Sequence, residues 1–392
     1  MTVAAVICEY NPFHTGHKHQ LDYIKQEINA DYIICIMSGD FVQRGEPAVF
    51  SKEERTKWAL KNGADAVFLL PACYSAAGAD YFSLGAVTLL NKLGCVDYLC
   101  FGSESGDINR LKDCSVKLRE NGTIESPAIK ELMKQGNTFP KARCILFPDY
   151  EDILNSPNNV LALEYISALD RIGSTIKPVT VKREGQPYDD DSFTTSAKFL
   201  SASSVRKQIL AGKISDVTDY LPYYDASVLK AISSDDFSKE LYYALLLASD
   251  RLDEYLDISE DLAQRIKNNL SEYNGFNSFC ETLKSKNLTH ARISRALIHV
   301  LLNIRGNNST LDMKLNLIEG IRLLGFKKSA EPLLKQISEH GALKIITKVP
   351  AVYDSLNDIT KEILDEDLFA STLYDKVAGI DVHEYSKKLI TM

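Results

Sequence analysis

Short apolar runs rich in β-branched residues recur through the first ~210 residues, with helical stretches between them. This alternation limits the fold more than any other feature. The runs are Val3–Cys8, Tyr32–Met37, Ala66–Leu70 (closed by Pro71), Val96–Phe101 (closed by Gly102) and Pro178–Val181. They are nearly continuous in apolar character, as parallel strands buried on both faces are. Helical spacing fills His17–Ile28, Lys52–Lys61 and Leu84–Leu93; Asn62-Gly63 and Gly94 stand where a helix stop belongs. The pattern predicts an α/β fold with a doubly wound parallel sheet over residues 1–214. Beyond Leu210 the character changes. Ser227–Ser234, Lys239–Leu256, Ile258–Tyr273 and Arg292–Ile304 show helical spacing, and clear strands are scarce. A mainly α-helical domain is therefore predicted over 215–392. Pro222, Ser215–Asp219 and Ser233–Ser238 mark loops near the junction.

The segment after the first strand carries the strongest chemical signal. It reads Cys8-Glu9-Tyr10-Asn11-Pro12-Phe13-His14-Thr15-Gly16-His17 and opens the first helix. Gly16 has no side chain, so a nucleotide can lie against the backbone there. A helix N-terminus offers free N–H groups and a positive dipole end to phosphate. Two imidazoles at that point, His14 and His17, can donate hydrogen bonds to an α-phosphate as charge builds on it. Surface decoration or a metal pair is the plainer alternative for two nearby histidines.

A second motif ends the α/β region: Leu200-Ser201-Ala202-Ser203-Ser204-Val205-Arg206. Hydroxyls of Ser201, Ser203 and Ser204 can cap a helix starting near Ser204, or bind phosphate oxygens. Arg206 can hold the β- and γ-phosphates and stabilise departing pyrophosphate. An ordinary capped helix with a solvated arginine is the alternative. It loses ground once the histidine motif is found at the other end of the same domain.

Composition narrows the function classes. A chain of 392 residues with 45% hydrophobic and 25% charged residues is neither disordered nor fibrous. No apolar stretch reaches the ~18 residues of a membrane span. The N-terminal run reads as a strand, not a signal peptide. Eight cysteines without a CxxC pair suit buried thiols in a reducing cytoplasm. A net charge of −8 gives no long-range help toward nucleic acid, so any RNA contact must come from a local basic patch. Such a patch exists: Lys284, Lys286, Arg292, Arg295 and Arg305 fall within 284–305, with no acidic residue among them. Ile293, Ala296, Leu297, Val300 and Leu301 follow the spacing of a buried stripe, so Arg292, Arg295 and His299 are expected on the other side.

The two motifs together resemble the HIGH and (I/L)SxSx(I/V)R motifs of the nucleotidyltransferase superfamily, whose members attack the α-phosphate of ATP. That likeness makes the first domain a Rossmann-like nucleotidyltransferase domain. It gives His14, His17 and Arg206 catalytic roles on the triphosphate. Further segments resemble the tRNA(Met) cytidine acetate ligase family: 9–17, 38–48, 101–104, 157–165, 182–185 and 286–295. One departure is Thr15, where that family usually has Asn. The resemblance implies that acetate attacks ATP to give acetyl-adenylate and pyrophosphate. The exocyclic amine of the wobble cytidine in elongator tRNA(Met) then takes the acetyl group without acetyl-CoA. It implies ATP as cofactor with Mg²⁺, acetate and elongator tRNA(Met) as partners, and a cytoplasmic location, with no membrane and no obligate protein partner. The ATP site would gather Ile7, Cys8, Glu9, Tyr10, Asn11, Pro12, Phe13, His14, Thr15, Gly16, His17, Lys18, His19, Gln20, Gly102, Asn158 or Asn159, and Arg183, besides Ser203, Ser204 and Arg206.

Several residues carry double readings. Asp40, at the rim of the second strand, is a candidate catalytic residue that would hold Mg²⁺ or position a substrate amine; it can equally be a loop-starting aspartate. Arg44 would face acetate or RNA, or only solvent. Asn158 or Asn159 would contact nucleotide or cap a helix. The RNA-binding set is Arg44, Lys284, Lys286, Arg292 and Arg295. The competing functions are a small-molecule adenylyltransferase of the same superfamily and a non-catalytic nucleotide- or RNA-binding protein. A large basic-striped helical domain speaks against the first, and intact His14, His17 and Arg206 speak against the second.

Overall fold

The computed structural model describes residues 1–183, 199–222, 230–286 and 288–392. Its centre is strand β1 (Val3–Cys8), buried along its whole length. Around it stand β2 (Tyr32–Ser38), β3 (Ala66–Leu70), β4 (Tyr98–Ser103) and β5 (Lys177–Lys182), all parallel to their neighbours in the order β3-β2-β1-β4-β5. Side chains alternate between two cores, as strand geometry requires. Val3, Ala5, Ile7, Ile34, Ile36 and Phe68 join one core. Ala4, Val6, Cys8, Ile33, Cys35 and Met37 join the other. Both faces are covered, which explains why these strands read as unbroken apolar runs.

Helices form where the sequence spaces and caps them. α1 (Thr15–Glu27) buries Leu21 and Ile24. α2 (Lys52–Lys61) is capped by Ser51, whose hydroxyl accepts from the backbone N–H of Glu54. α3 (Ala79–Leu93) stops at Gly94, which takes a left-handed φ of 72°. α4 (Pro157–Arg171) packs its apolar face into the core shared with α3. α5 (Ala202–Leu210) is capped by Ser201 rather than starting near Ser204.

The C-terminal region is largely helical, including α6 (His290–Leu301) and the long α7 (Asp358–Ala378). The expectation that strands are scarce there needs one correction. β6 (Gly320–Phe326) pairs antiparallel with β3 and extends the same sheet across the 214/215 boundary. β7 (Lys344–Ile346) and β8 (Ile390–Thr391) pair parallel with β6. Gly320 and Gly325 obscured this strand in the sequence. Both are needed: a Cβ at Gly320 would lie 2.7 Å from Ile346 Cδ1, and one at Gly325 2.9 Å from Ile390 Cβ. The helix expected over 227–234 lies partly outside the described residues; Ser234–Phe237 is a 3-10 turn.

A buried ion cluster fastens the C-terminal segment to the sheet. Lys52 Nζ lies 3.0 Å from Asp40, 3.0 Å from Glu53 and 3.2 Å from Glu384, and donates to Ser371 Oγ at 2.8 Å. Glu384 also meets Arg322 at 2.9 Å and Lys387 at 2.9 Å. Burial alone would raise the Glu384 carboxyl, but Lys52, Arg322 and Lys387 hold it down at about 2. Removing one partner leaves an uncompensated buried charge. Lys52→Met is therefore expected to destabilise the chain by roughly 3–5 kcal/mol, read as a lowered urea midpoint; an unchanged midpoint would contradict the role given to this cluster.

Candidate active site

The turn after β1 is built by its own side chains. Tyr10 adopts a left-handed φ of 49°, unusual for a non-glycine residue. Its buried ring lies 4.7 Å from Phe13 and 4.9 Å from His17. Asn11 Oδ1 accepts from the Val49 N–H at 2.8 Å. His14 then caps α1: its Nδ1 accepts from the Gly16 N–H at 3.0 Å, and His17 Nδ1 accepts from the His14 N–H at 3.3 Å. The two rings sit 3.8 Å apart. This reciprocal cap fixes the tautomers. An imidazole that accepts at Nδ1 carries its proton at Nε2. Burial lowers His14 to about 3, with the charges of Arg183 and Arg206 adding to it. Burial, then His14 and Arg183, push His17 well below its ordinary value. Both rings are thus neutral Nε2–H donors, and both line a cavity.

Gly16 lines the cavity and also has a close protein neighbour. A Cβ there would lie 2.8 Å from His14 Cε1, so the missing side chain makes room for the His14 ring itself.

The cavity opens at the C-terminal ends of β1, β4 and β5, where the strand order reverses: β2 and β3 are added on one side of β1, then β4 and β5 on the other. In doubly wound sheets ligands bind at this switch point. Arg206 reaches in from α5, with Nη1 donating to Asn11 O at 2.8 Å and Nη2 to Ser203 Oγ at 3.3 Å. Arg183, just past β5, donates to Asn158 Oδ1 at 3.1 Å. Asn158 in turn donates to Glu104 Oε1 at 2.6 Å. Gly102 lets the Arg183 stem lie close: a Cβ would meet its Cγ at 3.3 Å. Asn11 Nδ2 is buried without a hydrogen-bond partner among the described residues, a donor that a ligand oxygen would satisfy. His19 stacks on Phe199 at 5.2 Å, giving a flat aromatic surface in the lining. Neutral donors, two guanidinium groups and an aromatic surface together suit a nucleoside polyphosphate.

Other expected residues fall elsewhere. Asp40 is corrected: it is 2% exposed, outside the cavity, with Oδ1 accepting from the Lys52 N–H and Oδ2 paired with Lys52 Nζ. Its charge is consumed inside the protein, and it does not fit an open metal ligand. Among the described residues no group of three or more His, Cys, Asp or Glu could hold a metal ion. Between the two asparagines, Asn158 lines the cavity, while Asn159 is buried and accepts from the Ser105 N–H at 3.1 Å. Pro12, Phe13, Thr15 and Lys18 do not line it; Lys18 pairs with Asp22 at 2.6 Å. Ser203 acts through Arg206, and Ser204, in the first turn of α5, is buried. Glu184 and Gly185 of the 182–185 segment lie outside the described residues, as does Asn287 of 286–295. The apolar wall was not anticipated. Phe82, Phe101, Leu161 and Tyr165 line the cavity. Helical spacing held a clue, since Asn158, Leu161 and Tyr165 share one face of α4.

The basic patch is only partly as expected. The buried stripe of α6 is correct, but His299 is corrected: it is fully buried, with Nδ1 2.9 Å from Leu256 O. Arg295 is mostly buried against Asp257 at 3.2 Å. Lys284 pairs with Glu281 at 3.0 Å, and Lys286 donates to Gly136 O at 2.8 Å. Arg292 is exposed. This face also meets the cavity wall. Arg44 lines the cavity from the ribbon Phe41–Val42/Glu46–Pro47. Next to it, Gly45 (φ 74°) presses on α6 so closely that a Cβ would lie 2.2 Å from Arg295 N. Ser294 Oγ donates to Gly45 O at 2.7 Å.

Known proteins resemble this chain along its whole length. Residues 1–388 match the HIGH Nucleotidyl Transferase family. The tRNA(Met) cytidine acetate ligase of Clostridium perfringens is 36% identical over 390 residues, covering 95% of each chain. That of Thermoanaerobacter sp. is 37% identical, covering 97% of this chain and 98% of its own. The crystal structure of Thermotoga maritima TmcAL in its apo form superposes with a TM-score of 0.90 at 27% identity, over 100% of both chains. The same protein bound with alpha-thio ATP gives 0.88 at 26% identity, over 100% of this chain and 99% of its own.

The histidine cap carries a pH signature. The unfolded chain binds a proton on each imidazole near pH 6.5, and the folded chain refuses it. The contribution to stability is therefore complete above pH 6.5, and for His14 it is lost progressively down to about 3. Nitrogen chemical shifts of both rings are expected to stay in the neutral Nε2–H pattern down to pH 5; titration near 6.5 would refute the buried cap.

Proposed function

The chain belongs to the HIGH nucleotidyl transferases and, along its whole length, to the tRNA(Met) cytidine acetate ligase family; on that footing we propose how its residues carry out the reaction. The protein is an ATP-dependent ligase that activates acetate as acetyl-adenylate and transfers the acetyl group to N4 of the wobble cytidine of elongator tRNA(Met). The observation that carries the residue-level reading is the reciprocal cap that sets His14 and His17 as neutral Nε2–H donors in the cavity.

In the first step a carboxylate oxygen of acetate attacks the α-phosphorus, and pyrophosphate leaves. Both reactants are anionic, so the site must offset their repulsion. His14 and His17 donate to the α-phosphate oxygens as their charge grows. Neutral imidazoles do this without a proton that could be lost to the phosphate. Arg206 neutralises the departing pyrophosphate, held in place by Asn11 O and Ser203 Oγ. Arg183, oriented by Asn158 and Glu104, takes a second position on the nucleotide. Asn11 Nδ2 adds a buried donor. Asp40, paired with Lys52 and buried, does not fit a Mg²⁺ ligand.

The acceptor reaches the site along the basic face. Lys284, Lys286 and Arg292 present charge to phosphates, and Arg44 continues that charge to the cavity wall. Exposed ion pairs such as Lys284–Glu281 are weak and exchange readily for phosphate. No helix among the described residues is long and apolar enough to cross a membrane. A tRNA substrate places the work in the cytoplasm.

Labelled acetate with ATP and bulk tRNA, without CoA, is expected to give label in acetylated cytidine; label absent from RNA with ATP consumed on a small acceptor would favour a small-molecule adenylyltransferase. His14→Ala and His17→Ala should each lower acetate-dependent pyrophosphate exchange by about 10²–10³-fold with the fold intact by circular dichroism; wild-type exchange would remove them from the mechanism. The pair Lys286→Glu and Arg292→Glu should weaken tRNA binding and flatten its salt dependence; an unchanged slope would move the RNA surface elsewhere.

A further inference from the structure

The second half of the reaction demands a group that the first half does not. The N4 amine of cytidine shares its lone pair with the ring and is a poor nucleophile. It must lose a proton as the new C–N bond forms. A carboxylate can both accept a hydrogen bond from N4 and receive that proton. Asp40 is unable to serve, because it is sealed in the ion cluster with Lys52. Among the described residues, the carboxylates that line the cavity are Glu9 and Glu46.

Glu9 is held as a base should be. Its backbone carbonyl accepts from Arg55 Nη1 at 2.7 Å, which anchors the residue at the end of β1. Its Oε1 accepts from the Gln43 N–H at 2.8 Å, which aims the side chain. Among the described residues, Oε2 accepts no hydrogen bond. Burial pushes the carboxyl up, while the Gln43 N–H, Arg206 and Arg44 pull it back. Glu9, Arg206 and Arg44 line the same cavity, and Arg44 adjoins Gly45, which packs on α6. Glu46 sits on the ribbon and has no such anchor among the described residues.

We propose that Glu9 is the catalytic base of acetyl transfer, receiving the cytidine N4 amine through Oε2 and accepting its proton. The inference rests on the acetyl-transfer reading above. The N4–carbon bond forms at the acetyl carbonyl. The bond from that carbon to the adenylate oxygen breaks, and its electron pair leaves with AMP. The N4 proton passes to Glu9 Oε2, and the resulting carboxylic acid returns it to solvent when AMP departs.

The test compares acetate-dependent pyrophosphate exchange with single-turnover acetyl transfer to tRNA, using the full chain and labelled acetate. In Glu9→Gln, which keeps size and the Gln43 contact, the ratio of transfer to exchange is expected to fall by about 10²-fold or more. Glu9→Asp should recover part of it. Wild-type transfer should rise with pH as the carboxyl ionises, and that limb should vanish in Glu9→Gln. An unchanged ratio, an equal loss of both steps with the pH limb retained, or the same split in Glu46→Gln would overturn the proposal. Should Glu9→Gln not fold, Glu9→Asp decides: an unmoved pH limb overturns the assignment and a displaced one supports it. A wild-type chain without exchange or tRNA labelling would instead overturn the underlying reading.

Discussion

One guanidinium organises the part of the sheet that does chemistry. Arg55 is fully buried and donates to the carbonyl oxygens of Glu9 at 2.7 Å, Ser38 at 3.0 Å and Phe50 at 3.0 Å, and to that of Gly39 as well. These carbonyls belong to the ends of β1 and β2 and to the segment entering α2. Strand ends have unpaired carbonyls where the ladder stops, and burying them without donors is costly. Arg55 satisfies four at once from a single planar head, with Asp40 4.0 Å away as counter-charge. The burial that lowers its own affinity for a proton is offset in part by Asp40. The direction in which Glu9 and the following turn leave the sheet is set here, and so is the frame for His14.

The site separates its tasks by protonation state. Donors to phosphate are kept neutral by burial and by two nearby arginines, so they do not compete with those arginines for charge. The arginines are themselves braced by oxygens: Asn11 O and Ser203 Oγ for Arg206, Asn158 Oδ1 for Arg183. A carboxylate at the same rim opposes binding of an anionic substrate, and raising its pKa eases that conflict. The turn residues between β1 and α1 therefore answer to both electrostatics and packing. Tyr10 shows this, with a strained φ held by aromatic contacts on two sides.

Much of this was legible in the sequence, for identifiable reasons. Val3–Cys8 and Ala66–Leu70 match their predicted bounds because buried parallel strands are written as uninterrupted apolar runs. Gly94 marked a helix end because only a residue without Cβ takes that φ cheaply. His14 and His17 were found by spacing, yet their reciprocal cap was not, since histidine is not an ordinary N-cap residue. Asp40 misled because its position at a strand end says nothing of Lys52, which neutralises it. His299 misled because helical spacing places it opposite Ile293, while Leu256 and its surroundings cover that side too. β6 was missed because the glycines that let it fit beside Ile346 and Ile390 erased its strand-like signature.

The ion cluster also bears on the order in which the chain is made. Lys52 and Glu384 are 332 positions apart in sequence, yet they share one buried contact. During synthesis the N-terminal strands emerge early, with a lysine whose partners Ser371 and Glu384 do not yet exist. β3 likewise waits for β6 to cover its edge. Contacts of such long range close last and slow folding. A nascent chain of the α/β half alone thus carries an open sheet edge and a lysine that has Asp40 and Glu53 but not yet its C-terminal partners. Sealing of the ion cluster and of the β3 edge thus waits for the C-terminal segment, although the described residues that line the cavity all lie within 7–206.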